Sequence, residues 1–170
     1  MRASSRIGLG RSASVLIALA GSGQALAASP FAASLNLSTL NGTTGFVVSG
    51  IDAIDISGFS VSSAGDVNGD GIDDLIIGAY AADPNGQNYA GESYVVFGTA
   101  TPFAASLNLS SLNGTNGFVL NGIDAFDQSG RSVSSAGDVN GDGIGDLIIG
   151  AQFADPNGQS GAGESYVVFG

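Results

Sequence analysis

Two segments with the pattern D-V-N-G-D-G-I-x-D, residues 66–74 and 138–146, contain the side chains of this sequence best suited to chemistry. Oxygen-bearing side chains occupy loop positions 1, 3, 5 and 9, and glycines occupy positions 4 and 6. Hard oxygen ligands on a tightly turned loop are what Ca²⁺ requires, and neighbouring carboxylates repel one another unless a cation lies between them. The pattern therefore predicts two Ca²⁺ sites, one in each segment.

Comparison of the two segments separates the predicted ligands from bystanders. Position 8 is Asp73 in one copy and Gly145 in the other, so we expect this position to be dispensable for binding. The predicted ligands, with the main-chain carbonyl at position 7, are Asp66, Asn68, Asp70, Ile72 and Asp74 in the first copy, and Asp138, Asn140, Asp142, Ile144 and Asp146 in the second. The alternative interpretation is a pair of Asn-Gly and Asp-Gly turns that hold no metal.

The residues that follow each loop argue against an EF-hand, in which the loop has Glu at position 12 and helices on both sides. Position 12 is Ile77 in the first copy and Ile149 in the second. Both isoleucines belong to short apolar runs that end in glycine, which favours buried strands over helices. We therefore predict that each loop joins two β-strands.

The N-terminus has the layout of a secretory signal peptide. Three arginines within the first eleven residues precede an apolar stretch at 15–20, and a small-x-small cleavage motif follows at 25–27. The apolar stretch is too short to span a bilayer, which needs about 20 apolar residues. Residues 1–27 are thus predicted to be a signal peptide, and the mature chain is predicted to be secreted or held at the cell surface without a membrane span.

The composition excludes several classes of function. All 15 acidic residues lie beyond position 50, and the sequence has four Arg but no Lys, His or Cys. A chain this acidic is not expected to bind nucleic acid, which needs clustered basic residues. The lack of Cys excludes disulfides, and the joint lack of His and Cys removes the usual zinc ligands, Cys nucleophiles and His general bases.

Acidic side chains outside the loops are the remaining candidates for catalysis, because paired carboxylates can carry out glycoside hydrolysis. They are Asp52, Asp55 and Glu92 in the first half of the chain and Asp124, Asp127 and Glu164 in the second. The same set occurs twice at the same spacing, which favours a scaffold role. We predict no catalytic residues and no enzyme activity.

An internal repeat has a period of 72 residues, so that residues 30–98 align with 102–170 without gaps and 57 of the 69 aligned positions are identical. Turn clusters separate four strand-like stretches in each copy. These stretches are 45–51, 59–65, 74–80 and 93–98 in the first copy, and 117–123, 131–137, 146–152 and 165–170 in the second. Some, such as 94–97, are apolar on both faces, which stacked four-stranded sheets would bury. We predict an all-β fold with two four-stranded antiparallel β-propeller blades.

The predicted organisation follows this repeat. It comprises the signal peptide at 1–27, an N-terminal segment of the first repeat at 28–44, a first blade region at 45–98, an inter-blade connection at 99–116 and a second blade region at 117–170.

One strand-like stretch has no evident place in two blades. If 117–123 is the outer strand of the first blade, the second blade lacks one and 45–51 is a spare copy. The spare stretch is expected to pair with another chain, to remain an open edge or to fold over locally. A propeller needs about four to eight blades, so we predict self-association through 45–51 and 165–170, or completion by further blades.

These motifs resemble the FG-GAP repeat, the blade unit of the integrin α-subunit β-propeller and of many secreted bacterial proteins. In the first copy they are the loop opening at 65–71, the strand at 74–79 and the segment 94–98. The resemblance implies that the loop between the first two strands of a blade binds Ca²⁺ through positions 1, 3, 5, 7 and 9. The family's Phe-Gly opening is replaced here by Ser57-Gly58 and by Ser129-Gly130.

The resemblance also implies a function. It indicates a Ca²⁺-binding secreted or cell-surface module for adhesion or for interaction with a protein or glycan ligand. Two alternatives remain open at this point. One is a Ca²⁺-rigidified structural fragment of a larger exported protein, and the other is an accessory to a lyase or phospholipase domain that this sequence does not contain.

Overall fold

A computed structural model describes residues 33–170, and the predicted signal peptide at 1–27 lies outside the described residues. Nine strands are present in the described range: β1 Val47–Ser49, β2 Ser60–Gly65, β3 Asp74–Ala79, β4 Glu92–Val96, β5 Ser106–Asn108, β6 Gly117–Asn121, β7 Ser129–Gly137, β8 Asp146–Ala151 and β9 Glu164–Val168. Three-residue 3-10 turns are the helical elements there: Leu37–Thr39, Pro84–Gly86, Leu109–Ser111 and Pro156–Gly158. No helix between residues 33 and 170 has the length and apolar character needed to cross a membrane. The all-β prediction is confirmed.

Two antiparallel sheets correspond to the two predicted blades. The first has the strand order β2-β3-β4-β6, and the second has the order β7-β8-β9. The outer strand β6 pairs with β4 over Gly117–Asn121, which is the condition considered above, although it belongs to the second copy of the repeat. The second sheet therefore differs from the prediction of four strands. Because β6 is already used by the first sheet, the described residues supply no fourth strand to β9.

Strand β1, the spare copy, pairs with β5 in parallel, with Val47 opposite Ser106 and Ser49 opposite Asn108. Local folding is thus the outcome that the structure shows among the three expected for this stretch. The ladder is only three residues long, which is short even for a strand in a small sheet.

Both faces of the first sheet are covered by apolar side chains. On one face, Ile76 and Val95 pack against Leu147 and Ile149 of the second sheet. On the other face, buried side chains of β3 and β4 pack with Leu109, which follows β5. The predicted burial of both faces is confirmed for the first sheet. The second sheet is covered on one face by the first.

A bulge at the end of β2 and β7 directs the chain into each Asp-rich loop. The register with the neighbouring strand shifts between Ser63 and Gly65 in the first sheet, and between Ser135 and Gly137 in the second. Gly65 and Gly137 both have φ of 74°, a conformation that glycine adopts without steric cost. Bulges of this kind re-aim the chain next to functional loops.

Candidate metal centre

Each Asp-rich loop connects the first two strands of its sheet, as predicted. Residues 66–73 lie between β2 and β3, and residues 138–145 lie between β7 and β8. The bulge at the loop entrance and the short strands at its exit hold the two ends of each loop side by side. The ligand candidates therefore lie on one short loop at the end of the first two strands of each sheet.

In the first loop, the candidate side chains turn inward and accept main-chain N–H groups. Asp66 accepts from Asp70 (3.0 Å) and from Gly71 (2.8 Å) through its two carboxylate oxygens. The Asn68 side-chain oxygen accepts from the N–H of Asp70 (2.9 Å), and Asp70 accepts from the N–H of Ile72 (2.9 Å). The amide nitrogen of Asn68 also donates to Asp70 (3.1 Å). These bonds gather positions 1, 3 and 5 around one turn.

The second loop repeats this arrangement. Asp138 accepts from Gly143 (2.9 Å) and from Asp142 (3.1 Å), and Asn140 accepts from the N–H of Asp142 (3.0 Å). Asp142 in turn accepts from the N–H of Ile144 (2.8 Å). Two loops with the same sequence pattern thus share these hydrogen bonds, and the second adds one from the N–H of Gly141 to Asp138 (2.6 Å). The shared bonds indicate that the sequence largely determines the loop conformation locally.

The carboxylate at position 9 is a buried anchor in both loops. Asp74 and Asp146 are 1% and 0% exposed. Asp74 accepts from the N–H of Val67 (2.9 Å) and from that of Gly98 (2.7 Å), which follows β4. Asp146 makes the same two bonds in the second repeat. The carboxylate at position 9 therefore connects the loop to the end of the last strand of its own repeat. The ligand pattern in the sequence did not indicate this structural role.

The electrostatic surroundings of Asp74 favour a cation. Burial raises the pKa of the Asp74 carboxyl, the N–H donors of Gly98 and Val67 oppose that rise, and the charges of Asp70 and Asp66 add to it. Arg131 is the one basic residue among residues 33–170. Its guanidinium lies over the rings of Phe59 and Tyr80, 5.2 Å and 4.9 Å from their centroids. No basic side chain from this part of the chain is therefore available to balance the loop carboxylates.

The donor chemistry of the loops fits Ca²⁺, because every candidate ligand atom is an oxygen and most of the charge is carboxylate. As the side chains stand, residues 33–170 contain no group of three acidic residues that already converges on one point. Each carboxylate has about four acceptor sites, so the main-chain bonds leave oxygen lone pairs free in both loops. The residues that would hold an ion are those at positions 1, 3, 5, 7 and 9.

Position 8 has different surroundings in the two loops, which the sequence did not show. The N–H of Gly145 donates to the carbonyl of Asp66 (2.8 Å), so the end of the second loop is bonded to the start of the first. A Cβ atom on Gly145 would lie 3.1 Å from that carbonyl oxygen. Asp73, at the same position in the first loop, is exposed. A side chain at position 8 of the second loop would therefore crowd the contact between the two loops.

The acidic residues outside the loops form a separate group in each repeat. Asp52, Asp55 and Glu92 line one shallow pocket with Asp83. In the second repeat, burial raises the pKa of Asp127, and the charges of Asp124, Asp155 and Glu164 raise it further. The Tyr94 hydroxyl donates to Glu92, and the Tyr166 hydroxyl donates to Glu164. These tyrosines, two residues away on the same strand face, are partners that the sequence reasoning did not name.

Comparison with known proteins matches the same segments. The FG-GAP repeat family matches residues 57–96 and 129–168. The chain is 32% identical over 119 residues to integrin alpha-PS2 of Drosophila melanogaster, which is 67% of this chain and 8% of that protein. It is 35% identical over 101 residues to integrin alpha-5 of Xenopus laevis (56% and 8%), and 33% identical over 129 residues to integrin alpha ina-1 of Caenorhabditis elegans (74% and 11%).

The matched region thus amounts to about a tenth of the length of these curated relatives. The two family matches begin just before β2 and at the start of β7, and each includes one Asp-rich loop with the three strands around it. An FG-GAP repeat module of this kind, related to the integrin α propeller, fits a role in interaction. The chain belongs to the FG-GAP repeat proteins, and its two antiparallel sheets are built from those repeats.

Proposed function

We propose that this chain is a Ca²⁺-binding module of an exported or cell-surface protein, in which two ions stiffen a β-scaffold that binds a protein ligand. The observation that carries the proposal is the duplicated oxygen-rich loop. The candidate side chains of both copies are arranged around one turn, and the basic residue of the described chain lies elsewhere.

The position of the loops suggests what an ion would contribute. Gly145 bonds the second loop to the first, and Asp74 bonds the first loop to the end of β4. An ion bound in either loop would neutralise carboxylates at a point where loop and sheet meet. At a free Ca²⁺ concentration about 100 times Kd, each site would add about 2.7 kcal/mol to the free energy of unfolding. Ca²⁺ would thereby replace the disulfides that this exported chain lacks.

Export and a protein ligand are the parts of the proposal supported by sequence. The basic and apolar N-terminus has the layout of a signal peptide, and the relatives are integrin α-subunits. The basic side chain of the described residues, Arg131, lies over the rings of Phe59 and Tyr80, so a ligand would meet loops rather than a basic patch. A purely structural module within a larger exported protein is the second candidate, because the loops bond the two sheets to each other.

Calorimetric titration of the chain with Ca²⁺ tests the proposal directly. We expect two ions per chain. The double variant Asp66→Ala/Asp138→Ala removes position 1 from both loops and is expected to bind none. Asp73→Ala is the matched control, because its side chain is exposed in the same loop and its loss should leave the stoichiometry at two.

The outcomes separate the explanations. No binding by the unsubstituted chain, or an unchanged stoichiometry in the double variant, would contradict Ca²⁺ binding by these loops. If ions bind but no protein ligand is captured when the full chain is immobilised in Ca²⁺, the structural candidate is favoured instead.

A further inference from the structure

The second sheet has an open edge at β9 among the residues described. Strands β4 and β9 have the same sequence, Glu-Ser-Tyr-Val-Val. β4 has neighbours on both sides, whereas β9 pairs with β8 alone. Val95 of β4, which packs against the second sheet, is 0% exposed, and Val167 of β9 is 46% exposed. An unpaired strand edge of this kind is a template for another strand.

The chain also contains a second copy of the strand that pairs with β4. Residues 45–49 read Gly-Phe-Val-Val-Ser, and β6 reads Gly-Phe-Val-Leu-Asn. We propose that the N-terminal strand β1 of a second copy of this chain pairs with the open edge of β9, in a head-to-tail contact that completes the second sheet.

The β4–β6 pairing shows which edge of the donor strand such a contact needs. The N–H of Gly122 donates to the carbonyl of Gly91 (2.7 Å), and the N–H of Phe97 donates to the carbonyl of Asn116 (3.1 Å). Alternate residues of an antiparallel strand direct their N–H and C=O groups to the same edge. Even-numbered residues of 116–122 therefore face β4.

Strand β1 has the corresponding edge free. The groups equivalent to those that face β4 belong to Phe46, Val48 and Gly50. The contact with β5 uses the other edge, because it is the N–H of Val47 that donates to the carbonyl of Ala105 (3.0 Å). The local pairing of β1 with β5 can thus persist while β1 joins a second sheet.

Strand β1 is placed next to the first sheet in the same way as β6 is placed next to the second sheet. Equivalent residues line an apolar cleft in each place: Val48, Ser57 and Ile77 in the first repeat, and Leu120, Ser129 and Ile149 in the second. Because β6 is in its paired position, the similarity of the two clefts indicates that β1 is already in a donor position. Docking would therefore need little rearrangement of the chain.

The surfaces next to the two strands match as well. In the first repeat, the N–H of Ser129 donates to the carbonyl of Ala90 (2.9 Å), and this bond joins the segment before β4 to the start of β7. Ala90 is buried, whereas its counterpart Ala162 is exposed. The ring of Phe97 lies 5.8 Å from that of Phe118, and Phe169, the counterpart of Phe97, is 58% exposed. The acceptor surface at β9 is thus the same surface that the first repeat buries.

A contact between the N-terminal strand of one copy and the last strand of the next is heterologous, so repeated contacts close into a ring or extend a filament. Each added chain contributes two sheets. A ring of roughly two to four copies would contain the four to eight blades usual for propellers.

Disulfide trapping in Ca²⁺ tests the register of the contact. Glu92 lies opposite Asn121 in the first sheet, so Ser49 of one copy should lie opposite Glu164 of the next. The chain has no Cys to interfere. We expect an equimolar mixture of the Ser49→Cys and Glu164→Cys chains to give mainly the mixed dimer on mild oxidation. We also expect at least a twofold higher sedimentation mass for the unsubstituted chain than for a single copy.

Ala162→Arg is the matched variant for the acceptor surface. Ala162 is exposed in the single chain, so the substitution should leave the circular dichroism spectrum unchanged while it returns the sedimentation mass to that of one copy. A single-copy mass for the unsubstituted chain at high micromolar concentration would overturn the proposal. A product dominated by Glu164→Cys homodimers, which would mean β9 pairing with β9, or association unaffected by Ala162→Arg, would overturn it equally.

Discussion

Strands β4 and β9 have the same five residues but lie in different surroundings. In β4, Tyr94 and Val95 are fully buried, whereas Tyr166 of β9 is half-buried and Val167 is exposed. The difference comes from the neighbours: the second sheet covers Val95, the segment that contains Leu109 covers Tyr94, and β6 pairs with β4, whereas only β8 pairs with β9. In a repeat protein, stability is roughly the sum of what each repeat contributes and what each interface contributes. Because the two repeats have nearly the same sequence, differences in stability between them report the contribution of the interfaces.

The largest expected difference between the repeats is at the strand tyrosines. Tyr94→Ala should lower the free energy of unfolding by about 4 kcal/mol, since it empties a fully buried site. Tyr166→Ala should cost about 2 kcal/mol, because part of that side chain already meets solvent. Each hydroxyl donates to a Glu on its own strand, so the lost hydrogen bond is common to both variants. Urea denaturation in the Ala162→Arg background checks this, and equal losses would show that position in the array does not matter.

At loop position 9 the repeats should behave alike. Asp74→Ala and Asp146→Ala each remove the acceptor of two main-chain N–H groups that are buried or partly buried. We expect each to cost about 3 kcal/mol even in excess chelator, because the two donors are left without partners. Asp73→Ala, an exposed neighbour, should change stability by less than about 0.5 kcal/mol. Denaturation in chelator that shows no loss for Asp74→Ala would make this residue a metal ligand only.

Exchanging the residues at loop position 8 should have unequal effects. Gly145→Asp places a side chain against the carbonyl of Asp66 and should cost about 1–2 kcal/mol by crowding the contact between the loops. Asp73→Gly, the reverse exchange in the first loop, should have little effect on folding stability, because that side chain is exposed. Thermal denaturation of the two variants checks this, and equal melting temperatures would show that the loop contact tolerates a side chain.

The smallest expected difference concerns two equivalent acids. Burial, followed by neighbouring negative charges, raises the pKa of Asp127 and of Asp55 above 3.8. The folded chain then holds a proton that the unfolded chain releases more readily, so stability falls as pH rises from the unfolded pKa through the raised one. Asp127→Asn should therefore raise Tm at pH 7 and lose that advantage near pH 3. Asp55→Asn should do so less, because Asp55 is only half-buried. An equal change in the Tm of Asp127→Asn at pH 7 and near pH 3 would contradict this expectation.

Local sequence was sufficient to predict eight of the nine strands and the two Asp-rich loops, whereas β5 lies in the segment 99–116 that was predicted to be a connection. The alternation of turn clusters with apolar runs located the four strands of the first sheet, including β6, and the D-V-N-G-D-G pattern placed each loop between two strands. Those features depend on residues close in sequence, such as the bulge at Gly65 and the bonds from Asp66 to its own loop.

Features that depend on distant neighbours were not predictable in the same way. The parallel pairing of β1 with β5, the hydrogen bond from Gly145 to Asp66, and the role of Asp74 in holding the N–H of Gly98 all join segments far apart in the chain. The strand count indicated an incomplete second blade, but the near-identical repeats gave no sign of which individual side chains would differ in burial. That difference arises only once the sheets are placed side by side.

Amide hydrogen exchange on the Ala162→Arg chain, resolved to single residues, is the most direct test of the cause of the difference between β4 and β9. It shows whether the two strands differ because of their neighbours rather than because of their sequence. In β4 the N–H groups of Ser93 and Val95 face β6, and in β9 the equivalent groups of Ser165 and Val167 face the open edge. We expect strong protection for the first pair and exchange close to that of an unfolded chain for the second. Tyr166, which pairs with β8, should stay protected. Equal protection of Val95 and Val167 in this single-copy variant would show that neighbouring strands do not cause the difference between the repeats.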